Sequence, residues 1–212
     1  MIERKFVVKN MKEFQIQEYI RENLKGVGHS HTALKKTPLG EKVIIYASRP
    51  GLIVGRAGAN IKKLTKVLKT RFALENPQIE ISEVDNVNLD ATIVAERIAN
   101  SLERFGSARF KGIMHKTMTD SINAGALGIE IMLSGKIPGS RAKSWRICQG
   151  YLKKCGDIAV SGVRSCKSQA KLKTGVIGIQ VRIMPPDLRL PDNVIIGEKI
   201  KPEEAKNETK SS

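Results

Sequence analysis

Apolar residues in the first 85 positions change their spacing several times, and each change marks a new predicted element. Intervals of three and four residues, carried by Ile16, Tyr19, Ile20 and Leu24, predict an amphipathic helix over 11–25 that ends at Gly26. The elements that follow are a short polar strand near 32–36, a turn at 38–40, a β-branched strand at 43–47, a short apolar helical segment at 52–58, a helix over 61–72 and an alternating strand at 79–84. This order predicts an α+β unit.

A second group of elements follows the polar segment 85–90, which is rich in helix-capping residues. It comprises a helix through Val94, Ile98 and Leu102 that stops at Gly106, a helix over 108–124, clearly alternating strands at 129–133 and 177–183, and further strands near 143–151 and 160–166. These elements predict a two-layer α/β domain with helices on one side of a mostly antiparallel sheet.

The same patterns divide the chain into three segments. Residues 1–86 form the first unit, residues 87–187 the second, and the pattern fades after the prolines at 185 and 186. Residues 188–212 have the composition of an extended or disordered tail. The fold class expected from the sequence is therefore α+β throughout.

Net charge narrows the function to classes that bind a polyanion. The 212 residues carry 37 Lys and Arg against 21 Asp and Glu, a formal charge of +16, and both predicted units share the excess while the tail is neutral. Aromatic residues make up only 4% of the chain, so contacts to phosphate, rather than stacking of bases on rings, are expected to dominate nucleic-acid binding.

A glycine loop in the first unit supplies the most specific candidate chemistry. A G-x-x-G spacing alone is weak, since 18 glycines in 212 residues give about 1.5 matches by chance. At 55–58, however, the glycines join two predicted helices, whereas 125–128 and 175–178 adjoin strands and read as turns that tighten a sheet. A purely structural turn at 55–58 is the alternative.

The loop has the properties of a phosphate-binding site. Glycines without side chains let a sugar-phosphate backbone approach, and free N–H groups at the helix start donate to phosphate oxygens, while single-stranded bases turn toward apolar neighbours. Lys69 lies on the same helix. The candidate RNA-binding residues here are Gly55, Arg56, Ala57, Gly58, Asn60, Lys62, Lys63 and Lys66.

The second unit holds a dense basic stretch in which Asp157 is the single acid over 141–173. A solvated, non-binding face normally mixes both signs, so this stretch favours a polyphosphate-binding surface over lysines that only confer solubility. Trp145 within it is expected to pack into the sheet rather than to stack on a base. The candidate RNA-binding residues are Lys136, Arg141, Lys143, Arg146, Lys153, Lys154, Arg164, Lys167, Lys171 and Lys173.

Residues 53–61 resemble the core motif of a K homology (KH) domain, and the helix and two strands before them are similar to the type II arrangement. Four motifs of the second unit resemble the family of universal small-subunit ribosomal protein three, in its archaeal and eukaryotic branch and more closely the archaeal: Gly-Ala-Leu-Gly-Ile-Glu-Ile at 125–131, Ser-Gly-Lys at 134–136, Arg-Ala-Lys-Ser at 141–144 and Gly-Val-Ile-Gly-Ile-Gln-Val at 175–181. The resemblance spans residues 4–187.

This resemblance implies a structural component of the head of the small ribosomal subunit, in the cytoplasm, that binds ribosomal RNA. It also implies contact with mRNA at the channel through which mRNA enters, and small-subunit proteins ten and fourteen as neighbours. Bacterial members carry F-R-R-x-M-K-R where this chain has Phe-Lys-Gly-Ile-Met-His-Lys at 110–116, so Gly112 and His115 depart from the pattern. Lys111, His115 and Lys116 are the residues carried over.

Other chemistry finds little support in the sequence. The pair at 135–136 lacks the remaining residues of a P-loop, the two histidines at 29 and 31 have no cysteine or acid partner nearby, and no catalytic constellation is visible. No cofactor, no metal, no enzymatic activity and no membrane-spanning or signal segment are therefore expected. A free KH-type RNA-binding regulator is the main alternative, and an enzyme acting on nucleic acid is a distant third.

Overall fold

A computed structural model describes residues 2–38, 40–188 and 190–191. The first unit contains α1 (Ile2–Asn23), β1 (His29–Thr37), β2 (Gly40–Ala47), α2 (Pro50–Val54), α3 (Ala59–Phe72) and β3 (Gln78–Glu83). Its sheet has the order β1-β2-β3, with β1 antiparallel and β3 parallel to β2. The predicted order of elements is confirmed, although the predicted turn at 38–40 includes Leu39, which lies outside the described residues.

Helix α1 begins nine residues earlier than the apolar spacing predicts, at Ile2 rather than at position 11. The first two to three turns bury nothing: Phe6 and Val8, like their apolar neighbours, are exposed. The core-facing stripe starts only at Ile16 and continues through Ile20. A pattern search detects the face that packs on a core, and the early turns have no such face.

The core of the first unit lies between one face of the sheet and two helices. Strand β2 contributes Val43, Ile45 and Ala47 at alternate positions. Helix α3 contributes Leu64 and Leu68 from its inward stripe, and α1 covers the remaining part of the sheet. These contacts leave the connection between α2 and α3 at the surface, where the glycine loop lies.

The second unit contains α4 (Ala91–Phe105), α5 (Phe110–Asn123), β4 (Gly128–Lys136), β5 (Ala142–Gly150), α6 (Asp157–Ser161), β6 (Arg164–Leu172) and β7 (Gly175–Met184). Its sheet has the order β5-β4-β7-β6, and each neighbouring pair is antiparallel. Helices α4 and α5 pack on one face, against Ile129, Ile131 and Leu133 of β4 and their neighbours. The predicted two-layer architecture is confirmed.

The strand predicted at 160–166 is wrong in its first half. Residues 157–161 form the single-turn helix α6, and Val160 there is 85% exposed. Strand β6 starts at Arg164, and its inward positions include Cys166 and Ala170. The valines at 160 and 163 gave a misleading apolar signal, because the true inward residues of this strand are small and weakly hydrophobic.

Gly128 opens β4 where the chain passes closest to another backbone. A Cβ atom at this position would lie 2.1 Å from the carbonyl oxygen of Tyr151, which no side chain can accommodate without a shift of the main chain. Gly178 lies within β7, opposite Ser134, rather than in a turn. The glycine pairs of the second unit thus permit close strand contacts, and only Gly125 lies in a turn.

The two units meet where the loop after α1 contacts α4. The carboxylate of Glu96 on α4 accepts hydrogen bonds from the backbone N–H groups of Gly26 and Gly28, the latter at 3.2 Å. Arg21 of α1 donates to the carbonyl oxygen of Lys167 on β6 at 3.4 Å. These bonds tie the first unit to both layers of the second.

His29, at the start of β1, is buried beside this junction. Its side chain is 6% exposed, and Nε2 lies 2.8 Å from Oγ1 of Thr32. Burial, reinforced by the positive charge of Arg21, lowers the pKa of His29 from 6.5 to about 4. The imidazole is therefore neutral in the folded chain at neutral pH.

We expect stability to fall as the pH drops from about 6.5 to about 4. In this window His29 of the unfolded chain binds a proton and His29 of the folded chain does not, so acid favours unfolding by up to about 3 kcal/mol. Urea unfolding at pH 7.0, 5.5 and 4.5 measures the effect, and a His29→Gln variant should have a flatter profile than the wild type. Equal slopes for the two proteins would contradict this account.

Candidate nucleic-acid interface

The glycine loop projects from the first unit between α2 and α3. Gly55 and Gly58 have φ angles of +70° and +73°, a region that residues with a side chain seldom adopt, and residues 56–58 form one turn of 3₁₀ helix. No side chain caps α3. The loop thus presents its backbone, and the start of a helix, to the outside.

Positively charged side chains lie along one side of this loop. Arg56 is exposed within it, and α3 places exposed lysines along its outer surface. Positions 62, 66 and 69 are spaced by four and three residues, so they lie along one stripe of the helix, and position 63 lies beside it. The structure thus brings together Arg56, Lys62, Lys63, Lys66 and Lys69, as the sequence predicted.

Asn60, at the start of α3, is exposed and also makes a contact within the loop. Its Nδ2 donates to the carbonyl oxygen of Leu52 at 3.4 Å, and a Cβ atom on Gly55 would lie 2.7 Å from the same nitrogen. The amide thus bridges the two sides of the loop. Asn60 helps to shape the loop that would hold a phosphate, and the φ angle of +70° is the feature that favours glycine at position 55.

Helix α5 presents Lys111, His115 and Lys116 to solvent near its start. The Nζ atom of Lys111 lies 5.1 Å from the centre of the Trp145 ring, a cation–π distance. Trp145 itself is partly buried, contacts Phe110 and donates from Nε1 to the carbonyl oxygen of Ile137 at 3.3 Å. Trp145 therefore packs on the sheet, as predicted, and it also holds the Lys111 side chain.

The dense basic stretch does not form one patch. The hairpin turns between β4 and β5 and between β6 and β7 lie at the same end of the sheet, where they bring together Lys136, Arg141, Lys143, Lys171 and Lys173. Lys153 and Lys154 follow β5 near the opposite end. Arg164 is at that end too and donates to the carbonyl oxygen of Leu89 at 3.4 Å, so it links β6 to the start of the second unit.

Arg146 and Lys167 lie on the outer face of the sheet, away from the helices. Arg146 pairs through Nε with Glu130 of the neighbouring strand, and Arg182 contacts the other carboxylate oxygen at 3.5 Å. Arg182 is absent from the residues that sequence reasoning selected. The alternation along β7, which points Arg182 away from the core, could have identified it.

Among the described residues, no group of three His, Cys, Asp or Glu side chains comes together in a way that could hold a metal ion. His29 is buried against Thr32, while His31 stacks on Tyr46 with the ring centres 4.3 Å apart. Within the same residues, no helix combines the length and the apolar character that crossing a membrane requires.

Comparisons with known families match both units separately. The model of the KH domain matches residues 15–89, which include the glycine loop. The model described as "Ribosomal protein S3, C-terminal domain" matches residues 98–183, which include the four-stranded sheet and α5. The two matches stand in the same order as the two units of the structure.

Archaeal relatives match nearly the whole chain. The small ribosomal subunit protein uS3 of Methanocaldococcus jannaschii is 44% identical over 198 residues, which are 93% of this chain and 94% of the relative. Its counterpart in Methanococcus aeolicus is 39% identical over 92% of this chain and 93% of its own length, and that of Methanococcus maripaludis is 42% identical over 92% of each. This chain belongs to the ribosomal protein S3 family and has that family's structural, RNA-binding role in the small ribosomal subunit.

Proposed function

We propose that the chain holds small-subunit ribosomal RNA through its glycine loop and its basic second unit, and that it contacts mRNA where mRNA enters the subunit. The observation that carries the proposal is the loop itself. Two glycines with positive φ join two helices, and exposed cations line one side. The N–H groups of Gly55 and Gly58 donate within the loop, and no side chain caps the helix that follows. That combination suits a sugar-phosphate backbone better than any small neutral ligand.

The assignment of the loop to single-stranded RNA rests on shape and charge together. Ile53 is fully buried and offers no surface to a base, whereas Val54 is partly exposed. A duplex cannot turn its bases toward Val54 while its phosphates follow the glycines, whereas a single strand can. The lysines of α3 then lie beside the continuing backbone. Asn60 is proposed to support the loop through its contact with Leu52 and, because it is exposed, to contact the RNA as well.

The contact with mRNA is proposed for the start of α5. Lys111, His115 and Lys116 are exposed there, and Nζ of Lys111 lies 5.1 Å from the centre of the Trp145 ring. Gly112 and His115 depart from the bacterial pattern while Lys111 and Lys116 keep its charge, so we expect a weaker hold on a passing strand. Lys153, Lys154 and Arg164 are proposed as contacts to ribosomal RNA at the end of the sheet opposite the two hairpin turns.

We also propose the neighbouring proteins, the compartment and the domain limits of this chain. Small-subunit proteins ten and fourteen are the neighbours in the head, and the cytoplasm is the compartment. The chain acts without catalysis of its own. The domain limits proposed are 1–86, 87–187 and 188–212; residues beyond 191 lie outside the described part of the chain.

Replacing Gly58 with Asp tests the glycine loop. The position has open space for a Cβ atom, and Asp tolerates positive φ better than most residues, so the fold should persist. The new carboxylate repels phosphate, and a loss of about 1.4 kcal/mol from this repulsion corresponds to about tenfold weaker binding of single-stranded RNA at fixed salt. Fluorescence anisotropy with a labelled oligonucleotide measures the change.

Gly125→Asp is the matched control, since Gly125 also has positive φ and open space but lies in the second unit. It introduces the same charge away from the loop and should leave the affinity nearly unchanged. An equal loss in both variants would show a general charge effect and would contradict the assignment of the loop.

Neutralising Lys111 and Lys116 together tests the contact with mRNA. Two exposed contacts of about 0.5 kcal/mol each correspond to about a fivefold effect, which should slow translation of mRNA with a stable hairpin more than translation of unstructured mRNA. A cell extract programmed with the two messages measures the ratio. Lys5→Gln with Lys35→Gln, two exposed lysines elsewhere, is the control, and equal slowing of both messages would contradict the proposal.

A further inference from the structure

The outer face of the four-stranded sheet is a separate, strongly basic surface. Strand register places its side chains in cross-strand rows on the side opposite α4 and α5. The rows are Cys148, Glu130, Arg182 and Ser165; then Arg146, Met132, Gln180 and Lys167; then Ser144, Ser134, Gly178 and Gln169; and last Ala142, Lys136, Val176 and Lys171. We call these sixteen residues the outer sheet face.

One acid lies on this face, and it is covered. The side chain of Glu130 is only 5% exposed although it points away from the core, because guanidinium groups lie over it from both neighbouring strands. Nε of Arg146 pairs with Oε1, and Nη1 of Arg182 lies 3.5 Å from Oε2. Two cations share one anion, so the cluster keeps an excess positive charge.

The two arginines are held yet remain accessible. Their side chains are 44% and 42% exposed, respectively. Arg146 pairs with Glu130 through Nε, which leaves its Nη groups for an external acceptor. The amide of Gln180 faces Nε and Nη2 of Arg182 at 3.2 and 3.1 Å, and since a guanidinium only donates, the amide oxygen occupies that position. The guanidinium groups of Arg146 and Arg182 are thus held in place before any ligand binds.

The rest of the face is small, polar or cationic. Lys136, Lys167 and Lys171 are exposed, and the third row consists of two serines, a glycine and a glutamine. Strands spaced by about 4.8 Å, with rows about 6.8 Å apart, make a platform of about 14 by 20 Å. None of the sixteen side chains is aromatic, so unpaired bases find no ring on which to stack.

We propose that the outer sheet face binds the backbone of duplex RNA, with Glu130 as the residue that positions Arg146 and Arg182 toward phosphate oxygens. This inference rests on the proposed function, which it extends to a second form of RNA. The wide, shallow minor groove of A-form RNA displays phosphates and 2′-hydroxyls, and a flat face with fixed arginines, lysines and serine hydroxyls matches both groups. The glycine loop binds a single strand, whereas this face binds a helix.

The charge of Glu130 gives the proposal an unusual consequence. Glu130→Gln makes the face more positive, so a simple count of charges predicts tighter RNA binding. Because the carboxylate fixes both guanidinium groups, its loss should instead loosen them and weaken binding of duplex RNA about fivefold, although the amide keeps the size of the side chain. Glu83→Gln, at an exposed acid on β3, makes the same change of charge elsewhere and should not weaken binding.

The test uses the full chain and two labelled probes, an RNA duplex of about 16 base pairs and a single strand of the same length. Binding is measured by anisotropy at several salt concentrations for the wild type, Glu130→Gln, Glu83→Gln and a triple variant. The triple variant carries Lys136→Gln, Lys167→Gln and Lys171→Gln, which leaves the Glu130 cluster intact. A triple control carries the same change at the exposed residues Lys5, Lys9 and Lys35.

We expect the triple variant to bind the duplex at least about tenfold more weakly, with a salt dependence reduced by up to about three phosphate contacts, and to keep its affinity for the single strand. Gly58→Asp should weaken binding of the single strand and leave the affinity for the duplex unchanged. The two variants therefore test the glycine loop and the outer sheet face separately. Circular dichroism checks folding, and if Glu130→Gln does not fold the lysine variant decides the question.

Wild-type affinity of the triple lysine variant for the duplex would overturn the proposal. Failure of that same variant to enter small subunits would then identify the face as a contact to another protein. Tighter duplex binding by Glu130→Gln would equally overturn the positioning role, because it would show that the carboxylate merely repels RNA.

Discussion

The carboxylate of Glu96 fixes how the two units lie against each other. It accepts from the backbone N–H groups of Gly26 and Gly28, at the point where α1 ends and β1 begins. Both glycines have positive φ angles, +86° and +79°, in the loop that directs their N–H groups at this carboxylate. His29 is buried as a neutral group beside it. The glycine loop of the first unit is therefore presented at a defined angle to the sheet of the second.

Other acids of this basic chain are also held by donors within the protein. Asp90 caps α4 by accepting from the backbone N–H of Thr92 at 2.9 Å, Glu103 accepts from that of Lys171 at 2.9 Å, and Glu130 lies under two arginines. Each of these carboxylates is used inside the protein. Internal donors hold these acids in place, and the excess of 37 Lys and Arg over 21 Asp and Glu gives the chain the positive charge that a polyanionic partner requires.

Much of the fold follows from the sequence, for identifiable reasons. Strands such as β4 and β7 alternate strongly, and α4 has a full apolar stripe, so period alone locates them. Apolar spacing does not detect the early turns of α1, because they bury nothing. It predicts a strand where α6 lies, because Val160 is apolar but exposed. The spacing of apolar residues reveals an element only when the element buries one face, so an exposed element gives no such signal.

The sequence likewise predicts one part of the candidate site and not the other. The glycine loop and the lysines of α3 were found because neighbours in sequence are neighbours in space. The basic stretch at 141–173 suggested one patch, but antiparallel pairing distributes it over two ends and one face of the sheet. Arg182 and Glu130 lie far apart in sequence, and only strand register brings them to Arg146, so the cluster required a structure to be seen.

An electron cryomicroscopy map of native small subunits that contain this protein would show directly whether the chain holds RNA at two different surfaces. We predict a single strand of RNA within hydrogen-bond reach of the backbone at residues 55–58 and an RNA helix across the outer sheet face. Solvent or protein at both surfaces would contradict the account.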